Sequence, residues 1–285
     1  MTGAPSLGRP SVEELAEIAR RVRVEVVRSV FRSGGGHLGA SLSAADLLTA
    51  LYFSVLVIEP SDPTWDGRDR FVLSKGHASL ALYATQALRG YFPLAELETF
   101  GRLGSRLQGH PDMTRLPSVD MSSGALGVGF SAAVGIALGI RLRGTSERTY
   151  TLLGDGECQE GEVWEAAFLA GRYRLDNLVA IVDLNGFQVT GWHGSKPGTK
   201  QPPWEARALA KQWSASGWRV TDVDGHDIDA IIDCLHAART SDGRPTVVIA
   251  RTIKGKGVGF LHGVHSRAIT AEELTRALEE LGETA

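Results

Sequence analysis

Apolar residues recur at helical spacing along much of this chain. The first such stretch begins after Ser11, which can form a capping box with Glu14. Three glycines at 34–36 predict the end of this helix, because glycine disfavours helix. Thr270 is placed to cap the last helix. Further helices are predicted at 46–55, at 77–89, at 127–142, between 153 and 178, at 228–239 and at 271–281.

Short runs of apolar and β-branched residues lie between these helices and predict strands. They are found at 71–73, 149–153 (TYTLL), 178–184 (LVAIVDL), 219–223 and 246–251 (TVVIAR). Strands that alternate with helices are typical of βαβ units. The sequence therefore predicts the α/β class, with a doubly wound, mostly parallel sheet and helices on both faces. Residues 101–124 form a long loop rich in Gly, Pro, Ser and His, and such loops are often functional.

Composition narrows the class of protein. The chain has 285 residues, 43% of them hydrophobic and 22% charged, without a repeat or a low-complexity linker. We expect one domain over 1–285, with a flexible segment 1–10 and a C-terminal helix in 270–285. A net charge of -3, two cysteines and no signal-peptide pattern indicate a cytoplasmic protein. Neither nucleic acid nor a membrane is an expected partner.

The strongest local signal is a pair of motifs at the ends of two predicted strands. Gly154-Asp155-Gly156 follows one strand and Asn185 follows the next. Ligands of open parallel sheets bind at the carboxyl ends of strands. A carboxylate, an amide oxygen and a backbone carbonyl would suit Mg²⁺ or Ca²⁺ that also holds a diphosphate. The glycines would let the backbone approach that diphosphate closely. A GDG sequence alone fits a plain turn equally well, and the matching Asn favours the binding site.

This motif pair resembles the thiamine-diphosphate motif, which begins with GDG and ends with Asn. Further segments resemble those of the transketolase family, in the same order along the chain. They are 36–39 (GHLG), 69–77 (DRFVLSKGH), 109–111 (GHP), 119–127 (VDMSSGALG), 154–161 (GDGECQEG) and 183–188 (DLNGFQ). The resemblance covers nearly the whole chain and implies the thiamine-diphosphate-binding fold, as the domain of the PP type that holds the diphosphate.

The resemblance also implies residue roles. Asp155, Asn185 and the carbonyl of Phe187 would bind the metal. Gly124 and Leu126 would contact the pyrimidine ring of the cofactor. The remaining residues implied to bind the cofactor are Gly154, Gly156, Glu160 and Asp183, the last on its thiazolium side.

Four histidines are implied to line the substrate channel and act in catalysis. Three of them, His37, His77 and His110, lie in glycine-flanked loops. Imidazoles can donate hydrogen bonds to sugar hydroxyls and stabilise an alkoxide. The fourth is either His262 or His265, and the family pattern favours His265.

Other residues have two interpretations. Glu160 could couple two active sites at an interface between chains, or it could be a carboxylate favoured at a helix N-terminus. Lys254 and Lys256 could contact the diphosphate, although a solvated role is favoured. His226, in a DGHD turn, is interpreted as structural. The sequence reads GHLG where the family usually has GHPG, so the backbone after His37 can be less rigid.

A full transketolase is more than twice as long as this chain. We therefore predict the thiamine-diphosphate-binding subunit of a two-chain transketolase, active only with a partner. The partner would supply the pyrimidine-binding and C-terminal domains, in an α₂β₂ heterotetramer. The pair would move a two-carbon ketol unit from a ketose or its phosphate to an aldose or its phosphate.

Three alternatives stay open. One is a component of another thiamine-diphosphate enzyme, either 1-deoxyxylulose-5-phosphate synthase-like or a two-carbon transferase of secondary metabolism. Another is a non-catalytic cofactor-binding module. A dinucleotide-binding protein is disfavoured, because the glycine loop at 34–39 follows a predicted helix instead of a strand.

Overall fold

The computed structural model describes residues 10–188, 206–240 and 243–283. All but one of the residues in the segment 1–10, which we expect to be flexible, lie outside that part of the chain. The described residues form a five-stranded sheet in the order β1-β2-β3-β5-β4, with every pair parallel. The strands are β1 (Arg70–Leu73), β2 (Thr149–Gly154), β3 (Leu178–Leu184), β4 (Arg219–Asp224) and β5 (Thr246–Arg251). The predicted strands and their parallel pairing are confirmed.

Helices cover both faces of this sheet, as predicted. They are α1 (Val12–Ser33), α2 (Leu38–Ala50), α3 (Ser79–Arg89), α4 (Val128–Arg143), α5 (Gly161–Tyr173), α6 (Ala206–Ala215), α7 (Ile228–Arg239) and α8 (Ala271–Glu280). One apolar core lies between the sheet and α1, α2, α3, α7 and α8. The other lies between the opposite face and α4, α5 and α6.

The predicted helix caps are present at both ends of the chain. Ser11 Oγ accepts from the backbone N–H of Glu14, and the Glu14 carboxylate accepts from Ser11 N–H at 2.7 Å. Thr270 caps α8 in the same way. Helix α1 ends at Gly34, whose φ of 75° lies in the left-handed region that glycine favours.

The predicted helix at 46–55 is wrong at its start. Helix α2 begins at Leu38 and continues through a π-helical turn, Leu51–Val55. A glycine at position 39 disfavours helix, but a Cβ there would lie 1.9 Å from the carbonyl oxygen of Val264. The close approach of another segment therefore requires the glycine. By length and composition residues 38–55 could cross a membrane, and 89% of that stretch is buried within the fold.

Helix α6 has no counterpart among the predicted helices. Its buried side chains are Leu209 and Trp213, which are a single helical turn apart. Two apolar positions are too few to establish a helical period in the sequence.

Candidate functional site

A cleft of about 280 Å³ opens at the carboxyl ends of the neighbouring strands β2 and β3. The turn after β2 supplies Gly154, Asp155 and Gly156, and the turn after β3 supplies Asn185 and Phe187. The two motifs predicted to act together therefore lie together. They lie side by side because β2 and β3 pair in parallel, with Gly154 opposite Asp183.

Asp155 is a buried carboxylate that faces this cleft. Its side chain accepts hydrogen bonds from the backbone N–H groups of Gly156 and Gly186, at 3.0 and 2.7 Å. The residue is only 4% exposed, and no described lysine or arginine forms an ion pair with it. Burial, with the charge of the nearby Asp183, raises the pKa of Asp155 to about 6. An ionised group in this position is stabilised when a cation enters the cleft.

The donor set around Asp155 fits a hard cation. The side-chain oxygen of Asn185 accepts from the Phe187 N–H at 3.1 Å, which closes a tight turn beside Asp155. Within the described ranges there is no group of three or more His, Cys, Asp or Glu residues placed to hold a metal. A site made of one carboxylate, one amide oxygen and one backbone carbonyl is of a different kind and suits Mg²⁺ or Ca²⁺.

Lys254 lies in the same cleft, and its burial differs from what the sequence predicted. The sequence favoured a solvated side chain, but Lys254 is only 4% exposed. Its Nζ lies 3.4 Å from Nδ1 of His265 and 5.8 Å from the ring centroid of Phe187. No carboxylate among the described residues forms an ion pair with it, and burial lowers its pKa to about 8. A buried ammonium group without a counter-ion is a site for an anion such as a diphosphate. Lys256 is half-buried.

Four histidines from distant segments come together beside the cleft. The ring centroid of His37 lies 5.8 Å from that of His77, 5.8 Å from that of His110 and 5.1 Å from that of His265. The rings of His77 and His265 are 5.5 Å apart. His77 and His265 line the cleft itself. The cluster contains the four predicted catalytic histidines, and the competing candidate, His262, is an exposed residue outside it.

Burial keeps most of this cluster neutral. Burial, together with the charges of nearby lysines, lowers the pKa of His77 to about 2 and that of His265 to about 4. The pKa of His37 is also lowered by burial, and by His110 and Lys254. At neutral pH these three imidazoles can each donate one hydrogen bond and accept another.

The loop that carries Gly124 and Leu126 reaches the cleft through a close backbone contact. A Cβ at Gly76, just after β1, would lie 2.7 Å from the carbonyl oxygen of Ser123. Glycine is therefore needed at 76 to let the loop approach the strand end.

Sequence reasoning missed Glu157, which ties three parts of the site together. Its buried carboxylate accepts from Ser74 Oγ and from the N–H groups of Gly127 and Gly154, the last two at 3.0 Å. These donors lie after β1, before α4 and at the end of β2. Burial outweighs the three hydrogen bonds and raises the pKa of Glu157.

Asp183, expected on the thiazolium side of the cofactor, lies behind the cleft and does not line it. The residue is fully buried, and its carboxylate accepts from Lys75, Ser43 and Thr252. Burial alone would raise its pKa, but these donors, led by Lys75, hold it below the usual range. Asp183 therefore fixes Lys75, a cleft residue that sequence reasoning also missed. The signal was its place directly after a strand, two residues before His77.

Glu160 stands at the rim of the cleft and at the N-cap of α5, where its side chain makes no cap hydrogen bond to the described part of the chain. It is exposed. A Cβ at Gly127 would lie 3.4 Å from Cβ of Glu160, so the N-termini of α4 and α5 meet at this rim.

Comparison with known proteins places these features in a family. Residues 15–284 match the model of the transketolase thiamine diphosphate binding domain. The chain is 42% identical to the SqwG chain of the 6-deoxy-6-sulfo-D-fructose transketolase of Clostridium sp. (strain MSTE9), over 94% of this chain and 96% of that protein. It is 36% identical to one of the subunits of the apulose-4-phosphate transketolase of Phocaeicola vulgatus, over 95% of each.

Solved structures of transketolases have a similar fold over nearly the whole of this chain. A transketolase variant from Pichia stipitis superposes with a TM-score of 0.86 at 30% identity, over 95% of this chain and 41% of that one. The transketolase of Campylobacter jejuni gives 0.85 at 32% identity, over 96% of this chain and 44% of that one. The chain thus spans less than half the length of these two enzymes.

Proposed function

Since this chain belongs to the transketolase family, as its thiamine-diphosphate-binding domain, we propose that it is the cofactor-binding subunit of a two-chain ketol transferase. One observation carries the proposal. The cleft contains the buried carboxylate of Asp155 and the buried ammonium of Lys254, and neither has an ion-pair partner among the described residues. Four clustered histidines lie beside this cleft. Relatives named as transketolase subunits match it over nearly their whole length.

The two buried charges support a position for the diphosphate end of the cofactor. Asp155, Asn185 and the carbonyl of Phe187 hold Mg²⁺, with Ca²⁺ as the alternative ion, and Lys254 faces the diphosphate. Gly154 and Gly156 leave room for it. The cation offsets the charge on Asp155, and the diphosphate offsets that on Lys254.

The other end of the cofactor meets the loop before α4, where Gly124 and Leu126 contact the pyrimidine ring. When bound, thiamine diphosphate supplies the electron sink for breaking and forming a bond beside a carbonyl. The chain's own residues orient the cofactor and exclude water from it.

His37, His77, His110 and His265 bind the hydroxyl groups of the sugar and move protons at its oxygens. The neutral imidazoles of His37, His77 and His265 suit hydroxyls, which both donate and accept. Two relatives are named for a sulfonated and a phosphorylated ketose. We propose a ketose of this anionic kind as donor and an aldose or its phosphate as acceptor, with the anionic group held by the partner chain.

An exposed apolar face is the proposed partner surface. On α4, Val128, Gly135 and Leu142 recur every seven residues on one side and are exposed, Leu142 by 79%. On α5, Phe168 and Tyr173 are also exposed. Both helices start at the cleft rim, so a chain that covers this face also closes the cleft.

The partner would carry the pyrimidine-binding and C-terminal domains in an α₂β₂ assembly, with Glu160 linking two active sites. This chain would act as one domain. Two free cysteines, Cys158 and Cys234, support a reducing compartment, and we place the enzyme in the cytoplasm.

The test is calorimetric titration of thiamine diphosphate with Mg²⁺, repeated with Ca²⁺, into the chain alone and into the chain co-expressed with the gene beside its own. We expect tight binding with the partner, lost in Asp155→Ala and kept in His262→Ala. Transfer between a ketose phosphate and an aldose phosphate is then assayed with the same samples. Cofactor binding without transfer would favour the non-catalytic module, and binding by neither sample would refute the proposal.

A further inference from the structure

A chain of hydrogen bonds runs from helix α1 to the residue before Lys254. The guanidinium of Arg23 donates two hydrogen bonds to the carboxylate of Asp46, on α2. Oδ2 of Asp46 lies 2.7 Å from Nδ1 of His226, in the turn before α7. Nε2 of His226 lies 2.9 Å from the backbone nitrogen of Ile253. Arg23 and Asp46 are buried, and the side chain of His226 is nearly so.

The partners of His226 fix its tautomer. Burial alone would raise the pKa of Asp46, but His226 and Arg23 hold it below the usual range, so Asp46 is an ionised acceptor. Nδ1 of His226 must therefore carry the proton that it donates to Asp46. Nε2 then has a free lone pair, and it accepts the N–H of Ile253.

The bond to Ile253 acts on the segment that presents Lys254. Thr252 is bonded through its side chain to Asp183, and Gly255 N–H donates to the carbonyl of Gly39 at 3.1 Å. The carbonyl of Lys254 accepts from Gly263 at 3.0 Å. The backbone N–H of Thr252 also donates to the carbonyl of Leu184, so the His226 bond is one of several that hold this strip of backbone. It is the one made directly before Lys254 by a side chain of another element.

We propose that His226 is a positioning residue, which holds the backbone at Ile253 so that the buried Lys254 side chain points at the diphosphate. The inference rests on the proposed function in one respect, the assignment of Lys254 to the diphosphate. It revises the structural interpretation of the DGHD turn, because the ring does more than close that turn.

Two substitutions at 226 separate its two hydrogen bonds. The amide of Asn sits where Nδ1 sits in histidine, so His226→Asn keeps the bond to Asp46 and loses that to Ile253. The longer Gln reaches the position of Nε2, so His226→Gln keeps an acceptor for Ile253. Dissociation constants for thiamine diphosphate with Mg²⁺ are measured by calorimetry on the full chain co-expressed with its partner. We expect about tenfold weaker binding for His226→Asn and a change within about twofold for His226→Gln.

A double-mutant cycle tests the route through Lys254. Lys254→Met should weaken binding, and adding His226→Asn to it should cause little further loss, since both changes remove one interaction. Greater loss in the Gln variant would mean that His226 acts through Asp46, and equal loss in the two variants would mean that the acceptor for Ile253 is not what supports binding; either result overturns the proposal. Additive losses would also overturn the proposal. If Lys254→Met binds as wild type does, the assignment of Lys254 fails, and if the wild-type complex does not bind, the proposed function itself fails.

Discussion

Replacing Asp155 by asparagine is expected to stabilise the chain, although it removes a proposed metal ligand. The pKa of Asp155 is raised to about 6, so the fold favours the protonated acid. The contribution of this group to stability is therefore full below pH 3.8, the ordinary value, and is lost as the pH rises through about 6. At pH 7.5 the buried charge costs the fold about 3 kcal/mol. Asparagine has the shape of the protonated acid and carries no charge, but its Nδ2 replaces one of the two oxygens that accept from the N–H groups of Gly156 and Gly186, and this lost acceptor costs about 2 kcal/mol.

We therefore expect the free energy of unfolding of Asp155→Asn to exceed that of wild type by about 1 kcal/mol at pH 7.5. At pH 5 the variant should be about 0.5 kcal/mol less stable than wild type, because the wild-type acid is then mostly protonated in the fold and the lost acceptor is no longer offset. Urea denaturation of the full chain in metal-free buffer measures both values.

Asp183→Asn is the matched control on the neighbouring strand. Its carboxylate is paired with the buried Lys75, so removing the charge should cost about 3–5 kcal/mol at either pH. The reasoning is refuted if Asp155→Asn is less stable than wild type at pH 7.5, or if its stability relative to wild type does not fall at pH 5. Thiamine diphosphate with Mg²⁺ should stabilise wild type and leave Asp155→Asn unchanged.

Three further outcomes are expected. Glu157→Met should lower the free energy of unfolding by about 3 kcal/mol in urea titrations, because it leaves two buried backbone N–H groups without an acceptor, whereas Glu157→Gln should cost far less. Phe168→Glu should abolish co-purification with the partner chain, and Val57→Glu, at a residue 45% exposed on the loop before β1, should not. His265→Ala should reduce kcat for ketol transfer by about 100-fold and His262→Ala by less than about twofold, and equal rates would contradict the place of His265 in the cluster.

The centre of the sheet could be predicted because strands β2, β3 and β5 are buried on both faces. The runs TYTLL, LVAIVDL and TVVIAR are almost entirely apolar or β-branched, and they coincide with β2, β3 and β5. The start of α2 could not be predicted, because Gly39 meets a tertiary requirement, the approach of Val264, that overrides its low helix propensity.

The part of the site that could be predicted from the sequence is the part that lies at the carboxyl ends of consecutive strands. The rule about strand ends found Asp155 and Asn185, since β2 and β3 follow each other in the chain with one helix between them. It did not find Lys75 or Glu157. Their roles depend on β1 lying beside β2, and α3, a long loop and α4 separate those strands in sequence. The burial of Lys254 is likewise a tertiary fact, since the glycines around it are equally compatible with an exposed loop.

The distribution of charge at the site indicates why one chain is not enough. Among the described residues, Asp155 and Lys254 are the buried carboxylate and ammonium of the cleft proposed for the cofactor's charged end, and His37, His77 and His265 beside them are kept neutral by burial. A neutral cluster binds hydroxyls well but gives little affinity for a sulfonate or phosphate group. An anionic ketose therefore needs cations from another source. The exposed stripes of α4 and α5 start at the rim of the same cleft, so a partner chain that buries them, as proposed above, would also be placed to supply those cations.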